Sequence, residues 1–346
     1  MIKKLTAFVL ALAALCTMSG CSLSDTSWVA KYDGRQVSAG VYIYYIVQAY
    51  QSAFYQVEDM SKDVLKQTVE DVPAEEWIAK EAMDGFADFM ATEQEFERLG
   101  LSLDESTLSN VDSLMAQMWA YYGAIYEKAG ISQDSYREIV ANAYKQNEIF
   151  HAYYGPGGQF EVPEEELKSY FSANYAKMKY LYVEYKEPAE GEEKAEDDTS
   201  LTQEQAIAQV NGYLDQVKAG TTLDAVIDAY NESKGRTVDT TDERRNVNYL
   251  QTSEDNQDMP LIEKAFSMPY DTPEVFTTEG RVYLIARYDV LSDAADLDLN
   301  RDGLLSNMKD EEFQSKLAAL QDPASYTTNQ DAVNRYSVKK IVKLVA

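Results

Sequence analysis

The sequence predicts an α+β protein: a mostly helical domain formed by the N- and C-terminal segments, carrying an inserted small domain of antiparallel sheet and helices. Three observations lead there. Ala176 to Glu187, AKMKYLYVEYKE, alternates strongly and has helix-like segments on both sides, the pattern of a strand with one buried face. Its natural partner is Gly280 to Leu291, GRVYLIARYDVL, another run of β-branched and aromatic residues that fills a pleated surface. Between the two lie an acidic loop, two helical stretches, a polar loop and a Pro-bearing helical turn, enough for a compact module over 176–291. What surrounds that module reads almost wholly helical.

Taken in order, Trp28 to Asp33 followed by Gly34 reads as a short strand and turn. Ser38 is placed as the N-cap of a long helix in which Tyr42, Tyr45, Ile46, Ala49 and Ala53 recur at three- and four-residue intervals, so one stripe faces a core. Pro73, Glu75 and Glu76 open a second helix, with Ile78, Ala82, Phe86, Phe89 and Phe96 on its buried side and Leu99-Gly100 as its stop. Asp104 to Ala129 is a third, broken by Gly130, and Ser132 caps a fourth that runs to the Gly155-Pro156-Gly157-Gly158 turn. Pro163 ahead of Glu164, Glu165 and Glu166 starts a fifth, because proline fits the first turn and carboxylates face the positive end of the helix dipole. It runs to about Asn174 and delivers the chain into the first sheet strand.

Within the insertion, Ala206, Val210, Leu214 and Val217 form one helical stripe closed at Gly220, and Leu223, Val226, Ile227 and Tyr230 form the next. Glu187 to Ser200 is a charge run with nothing to bury, hence a loop, and Asn248 to Leu250 is a short strand. Gly303 to Leu320 reads as the last long helix. The tail from Asp322 to Ala346 carries Arg335, Lys339, Lys340 and Lys343, a basic patch for either acidic helices or a membrane surface. The domains read this way are 28–175, helical; 176–291, inserted; and 292–346, returning to the helical part.

With 346 residues, 45% apolar and 12% aromatic, the chain can fill two cores. Its formal charge of −28, from 31 basic and 59 acidic residues, repels phosphates and anionic headgroups and excludes nucleic acid as a main partner. Residues 1–20 resemble a bacterial lipoprotein signal peptide: Lys3 and Lys4, the apolar run Leu5 to Leu15, then Met18, Ser19 and Gly20 ahead of Cys21. The run is too short to span a bilayer comfortably, and small residues before a cysteine fit a peptidase that cleaves there. The resemblance implies lipidation of Cys21, a tether over 21–27, and a protein held on the extracytoplasmic face of the bacterial cell membrane through its lipid anchor only. An ordinary secretory signal with a chance cysteine is the alternative. Because Cys16 leaves with the signal, Cys21 remains alone and no intramolecular disulfide can form.

A second resemblance covers nearly all of the chain after the signal. The order of a glycine-bearing strand, the helix EAMDGFADFMATEQEFERLGL, the helix VPEEELKSYFSANY, the strand MKYLYV, the stretch EQAIAQVNGYLDQVKAGTTLDAVIDAY, then MPLIEKAFSM and RVYLIARYDV resembles the extracytoplasmic foldases of the SurA and PrsA type. In those a helical chaperone domain, related to trigger factor, carries an inserted parvulin-type prolyl isomerase domain. Where the parvulin first strand has its histidine, this chain has Tyr180, within Lys179 to Val183; where the last strand has one, it has Tyr283, within Arg281 to Ala286. The charged stretch Arg236 to Asn246 stands in place of the glycine-rich loop. Met259, Pro260 and Ile262 take the hydrophobic wall of the proline pocket, with an aliphatic residue replacing the usual phenylalanine.

The resemblance therefore implies a degenerate parvulin pocket of Tyr180, Tyr283, Met259 and Ile262. Prolyl isomerisation needs no covalent chemistry, since its barrier of about 18–20 kcal/mol comes from amide resonance and falls when the bond is held twisted and desolvated. Loss of both histidines removes the hydrogen-bonded pair that shapes the pocket, which points to a domain kept for its shape. The function expected is a membrane-anchored chaperone that holds unfolded or newly exported polypeptides, uses no cofactor, and has weak or no isomerase activity. An active peptidyl-prolyl cis-trans isomerase and a dedicated partner-binding lipoprotein are the alternatives. The aromatic helices would supply the grip, because the 26 tyrosines each join an apolar ring to a polar tip at little entropic cost.

Two other patterns carry less. Asp298, Asn300, Asp302 and Gly303 match the first half of an EF-hand loop, but its twelfth position is Lys309, where a bidentate glutamate is needed; a solvated acidic helix start is the better reading and no metal is assigned. His151 is the only histidine, which leaves neither a Ser-His-Asp arrangement nor a histidine-based zinc site.

Overall fold

The computed structural model describes residues 25–187, 199–252 and 259–346. Cys21 and most of the acidic run at 187–200 lie outside the described residues. The chain divides into two compact units, Met1–Glu161 with Asp310–Ala346 and Val162–Lys309, and its class is α+β.

In the first unit, β1 (Trp28–Tyr32) and β2 (Arg35–Ser38) form a hairpin. The turn is Asp33-Gly34, with φ of 42° and 80°, the left-handed pair that matches the twist of flanking strands. Residues 28–33 read as one strand and a turn; the Asp-Gly step is what creates the second strand. Ser38 stands at the N-cap of α1 (Ala39–Gln56) without bonding its backbone, its Oγ lying 2.8 Å from Ser135 Oγ instead. A 3₁₀ turn (Val64–Lys66) and the two-residue strands β3 (Thr68–Val69) and β4 (Val72–Pro73) lead into α2 (Ala74–Arg98). Then α3 (Glu105–Ala129) is capped by Asp104, whose Oδ1 accepts from Thr107 N at 2.7 Å, and α4 (Gln133–Tyr154) by Ser132, which accepts from Ser135 N at 3.1 Å. The stripe of α1 is core: Tyr42, Ile46, Ala49 and Ala53 are buried with Ile78, Phe86 and Phe89 of α2.

The second unit begins with α5 (Glu164–Asn174), which runs directly into β5 (Tyr175–Glu184). Next come α6 (Gln203–Lys218), started by a Thr202/Gln205 capping box, α7 (Leu223–Ser233), β6 (Asn248–Gln251), α8 (Met259–Ser267), β7 (Glu274–Thr278) and β8 (Arg281–Tyr288). The sheet order is β6-β5-β8-β7, antiparallel throughout. Its strand β7 went unforeseen in the sequence, although Glu279-Gly280 with Gly280 at φ 76° makes the turn into β8. One face carries Leu181, Val183, Val282, Leu284 and Ala286 beneath α6 and α7; the other carries Ala176, Met178, Tyr283 and Ile285 beneath α8.

The long helix α9 (Ala294–Ala319) starts well before Gly303, correcting the sequence reading. Asp293 Oδ1 accepts from Ala295 N at 3.0 Å and nucleates it there. Asp298, Asn300, Asp302 and Gly303 thus lie inside a continuous helix, whose side chains radiate rather than ring one ion. This unit is wider than the span 176–291: Phe171 of α5 packs on Tyr175 and Tyr249 with ring centroids 5.4 and 5.9 Å apart, and Asn307 of α9 donates to Tyr175 Oη at 2.6 Å. Asp296 is buried there, accepting from Lys177 Nζ at 2.5 Å and Tyr249 Oη at 2.6 Å.

From Asp310 the chain rejoins the first unit, where Phe313 packs edge-on to Phe150 at 5.3 Å. After a 3₁₀ turn (Pro323–Ser325), β9 (Thr327–Thr328) pairs antiparallel with β1, and α10 (Gln330–Arg335) and α11 (Val338–Val345) follow. Val338, Ile341 and Val342 enter the same core as α1 and α2, and Lys339 reaches Glu75 at 2.7 Å. The basic tail therefore lies on the helices. Asn329 Nδ2 donates to Asp25 O at 2.7 Å and Ala39 N to Ser27 O at 2.8 Å, so Asp25 to Ser27, assigned to a tether in the sequence, are tied to this unit.

Candidate functional site

Alternation along β5 puts Ala176, Met178, Tyr180 and Tyr182 on one face, and the register sets Tyr182 directly opposite Tyr283, which in turn faces Phe276 on β7. Rings line up across three strands: Tyr182 to Tyr283 at 5.6 Å, Phe276 to Tyr283 at 6.3 Å, and Tyr180 diagonally to Tyr283 at 6.0 Å. The two tyrosines singled out in the sequence are thus brought together. Their nearest aromatic neighbours, Tyr182 and Phe276, were not singled out; the period of two from Tyr180 would have found the first.

Tyr283 is buried at the centre of this cluster, packed with Leu261 and Ala265 of α8 and with Met268 just beyond its end. Met259 opens α8 half-buried, while Ile262 is fully buried. Arg281 lies over the Tyr182 ring at 4.5 Å, and Arg287 is 4.6 Å from the Phe266 ring and 4.8 Å from that of Tyr270, all within cation–π range.

Strand β6 pairs only with Tyr175 to Met178, so the edge of β5 beyond that point is open to side chains. Tyr230 Oη donates to the carbonyl of Tyr182 at 2.6 Å. A cavity of about 210 Å³ lies there, bordered by Tyr180, Tyr182, Ile227, Tyr230, Arg236 and Arg245 among others. The charged stretch before β6 is pinned beside it: Arg245 forks onto Asp228 at 2.7 and 3.1 Å, Asn246 donates to Asp228 at 2.9 Å and Asp224 at 3.1 Å, and Lys179 reaches Asp224 at 2.6 Å. The Arg245 guanidinium, assisted by Asn246 and working against burial, holds the Asp228 carboxyl below the usual range. Chemically this site offers tyrosine hydroxyls and a desolvated aromatic surface, but no histidine and no nucleophile with a base beside it. His151 sits half-buried in the other unit on α4. Among the described residues, no group of three or more His, Cys, Asp or Glu side chains is placed to share a metal ion.

The helical unit presents a different surface. From Ser113 to Tyr126 the chain has no charged residue, and α3 buries only Val111, Gly123, Tyr126 and Ala129. Leu114, Tyr121, Tyr122 and Ile125 stay exposed, Tyr121 to 74%, with Met118 half-buried between them. Leu114, Met118, Tyr121 and Ile125 follow a spacing of four, three and four, one continuous apolar stripe on a helix.

No protein family matches the chain, and no curated protein matches it. Solved structures do. Foldase protein PrsA from Streptococcus pneumoniae is 14% identical with a TM-score of 0.37, over 82% of this chain and 99% of that one. Foldase protein PrsA from Lactococcus lactis is 11% identical with a TM-score of 0.36, over 91% and 98%, and a peptidylprolyl isomerase (PrsA) from Bacillus anthracis is 11% identical with a TM-score of 0.23, over 75% and 96%. The chain is similar to PrsA foldases.

Proposed function

We propose that this protein is a membrane-anchored extracytoplasmic chaperone that holds unfolded or newly exported polypeptides. The observation that carries the reading is the exposed stripe of α3. In a protein with 26% charged residues, fourteen consecutive positions without charge, showing tyrosine, leucine and isoleucine to solvent, exceed the scattered apolar residues of an ordinary surface. Tyrosine rings bind many sequences loosely, since they bring contact area with few rotatable bonds. The helical unit is then the chaperone part, and the unit around β5 and β8 a parvulin-like module.

That module has weak or no isomerase activity. With Tyr283 enclosed by three rings and by α8, its hydroxyl-bearing ring is structural packing, and a prolyl ring has no histidine pair to hold it. Anchoring runs through lipid on Cys21 alone. Among the described residues no helix is long and apolar enough to cross a membrane.

The test is refolding of a proline-limited model protein by the soluble form beginning at Ser22, beside aggregation of a proline-free client. Suppressed aggregation with an unchanged slow phase is the expected result. A faster slow phase would mean that the aromatic pocket catalyses isomerisation. Neither effect would leave a dedicated partner-binding lipoprotein as the better reading.

A further inference from the structure

A cleft of about 420 Å³ opens in the helical unit among the β1–β2 hairpin, α2, α4 and the start of α3. Its floor is apolar, built from Val37, Phe89, Phe96, Leu103 and Ala141, with Leu108 on the lip. Its rim is charged, and every cation on it is already matched. Arg35 pairs with Glu97, Arg137 with Asp112 at 2.5 Å, and Lys145 with Glu93 at 2.5 Å. Glu93 also accepts from Asn142 Nδ2 at 2.9 Å. Glu138 lines the same cleft on α4 and, among the described residues, has neither an ion pair nor a hydrogen bond.

One carboxylate is therefore left over, above an apolar floor. A ligand with a single positive charge on an apolar stem matches both features: it gives Glu138 its missing partner through a charge-assisted bond and covers the floor. The volume falls within the range of about 300–1,000 Å³ typical of ligand sites and exceeds what one aliphatic stem fills, so the cation needs an apolar neighbour in the same molecule. The overall charge of −28 draws basic segments toward the protein from a distance.

We propose that this cleft binds a lysine or arginine side chain flanked by an apolar residue in an extended polypeptide. The titration of Glu138 agrees. The protein around it and the Glu93 carboxylate raise its carboxyl, Lys145 opposes them, and Asp134 adds to the rise. More than a third of the residue remains open to solvent, which screens the effect without reversing it. The other charged or titratable groups around it are Tyr32 of β1, Arg35 of β2, and Arg137 on its own helix. This inference stands apart from the holding activity, because the cleft and the α3 stripe share no residue.

The probe is an acetylated, amidated Phe-Lys-Phe peptide, titrated calorimetrically into the purified protein at pH 8, with Phe-Gln-Phe as comparator. The lysine peptide is expected to bind about tenfold tighter, the scale of one charge-assisted contact. Glu138→Gln should bring the ratio close to one, and so should lowering the pH to 5 with the wild-type protein. Leu108→Ser, on the exposed lip of the cleft, should weaken both peptides alike. Equal affinities in the wild type, a preference that survives in Glu138→Gln, or no binding of either peptide to the folded protein would each overturn the proposal.

Discussion

Asp296 shows how much one buried charge can carry. It is 1% exposed and held by Lys177 and Tyr249, with Arg244 at 3.5 Å. Burial, and then the Asp296 carboxylate, push the Tyr249 hydroxyl well above its ordinary range. Asp296→Ala should cost about 3–5 kcal/mol, because it strands the Lys177 ammonium in a site from which water is largely excluded; the urea midpoint of the soluble protein reads the loss. The double variant Lys177→Met with Asp296→Leu should recover most of it, since both charges leave together. Glu138 works in the opposite sense. Its carboxyl is pushed up from 4.5 to about 7 in the folded protein, so the fold binds more protons than the unfolded chain, and this contribution to stability is complete below pH 4.5 and lost as pH rises toward 7. Glu138→Gln should therefore melt above the wild type at pH 8, with the gap closing as pH falls toward 4.5. None of these partners was legible in the sequence: Lys177 and Asp296 are far apart in the chain, and nothing in the residues around Asp296 singled it out. The parvulin resemblance drew attention to Tyr180 and Tyr283, whereas Tyr182 and Phe276 depend on a register that only the folded sheet shows.

At the scale of elements, the signals with a physical stop were the readable ones. Gly100, Gly130 and Gly220 end helices at positive φ, and Asp104 and Ser132 begin them through side-chain caps; each was visible as a residue type in a position. The pairing of β5 with β8 followed from two alternating runs. By contrast, β7 is five residues long, half-buried throughout, and too short for a period to emerge. β9 has two residues and exists because β1 offers it an edge. Crossing helices leave another mark that propensity misses. A Cβ built on Gly40 of α1 would meet Ser135 Cβ of α4 at 2.7 Å, closer than real contacts allow. Gly40→Ala, which helix propensity favours by roughly 1 kcal/mol, should instead destabilise by about 1–3 kcal/mol through overpacking, as a fall in the thermal midpoint of the helical unit.

For the whole molecule, strong net charge and an exposed apolar stripe coexist, and each limits the other. Like charge on every copy opposes self-association, while the α3 stripe offers apolar surface to whatever meets it. Replacing Leu114 and Ile125 together by lysine should abolish suppression of client aggregation, measured by light scattering. Stability should change by no more than about 0.5 kcal/mol, since both side chains already face solvent. A variant that still protects the client would remove the stripe from the mechanism. There is also an order of events written into the topology. β1 finds its second neighbour only in Thr327 and Thr328, and Asn329 holds the backbone at Asp25 and Trp28, while the unit of residues 162–309 is continuous in sequence. A chain delivered from its N-terminus, by a ribosome or through a translocation pore, thus releases its first helices long before the residues that close them, and non-local closure comes late. Until that last stretch emerges, the first helices wait as an open, unfinished layer.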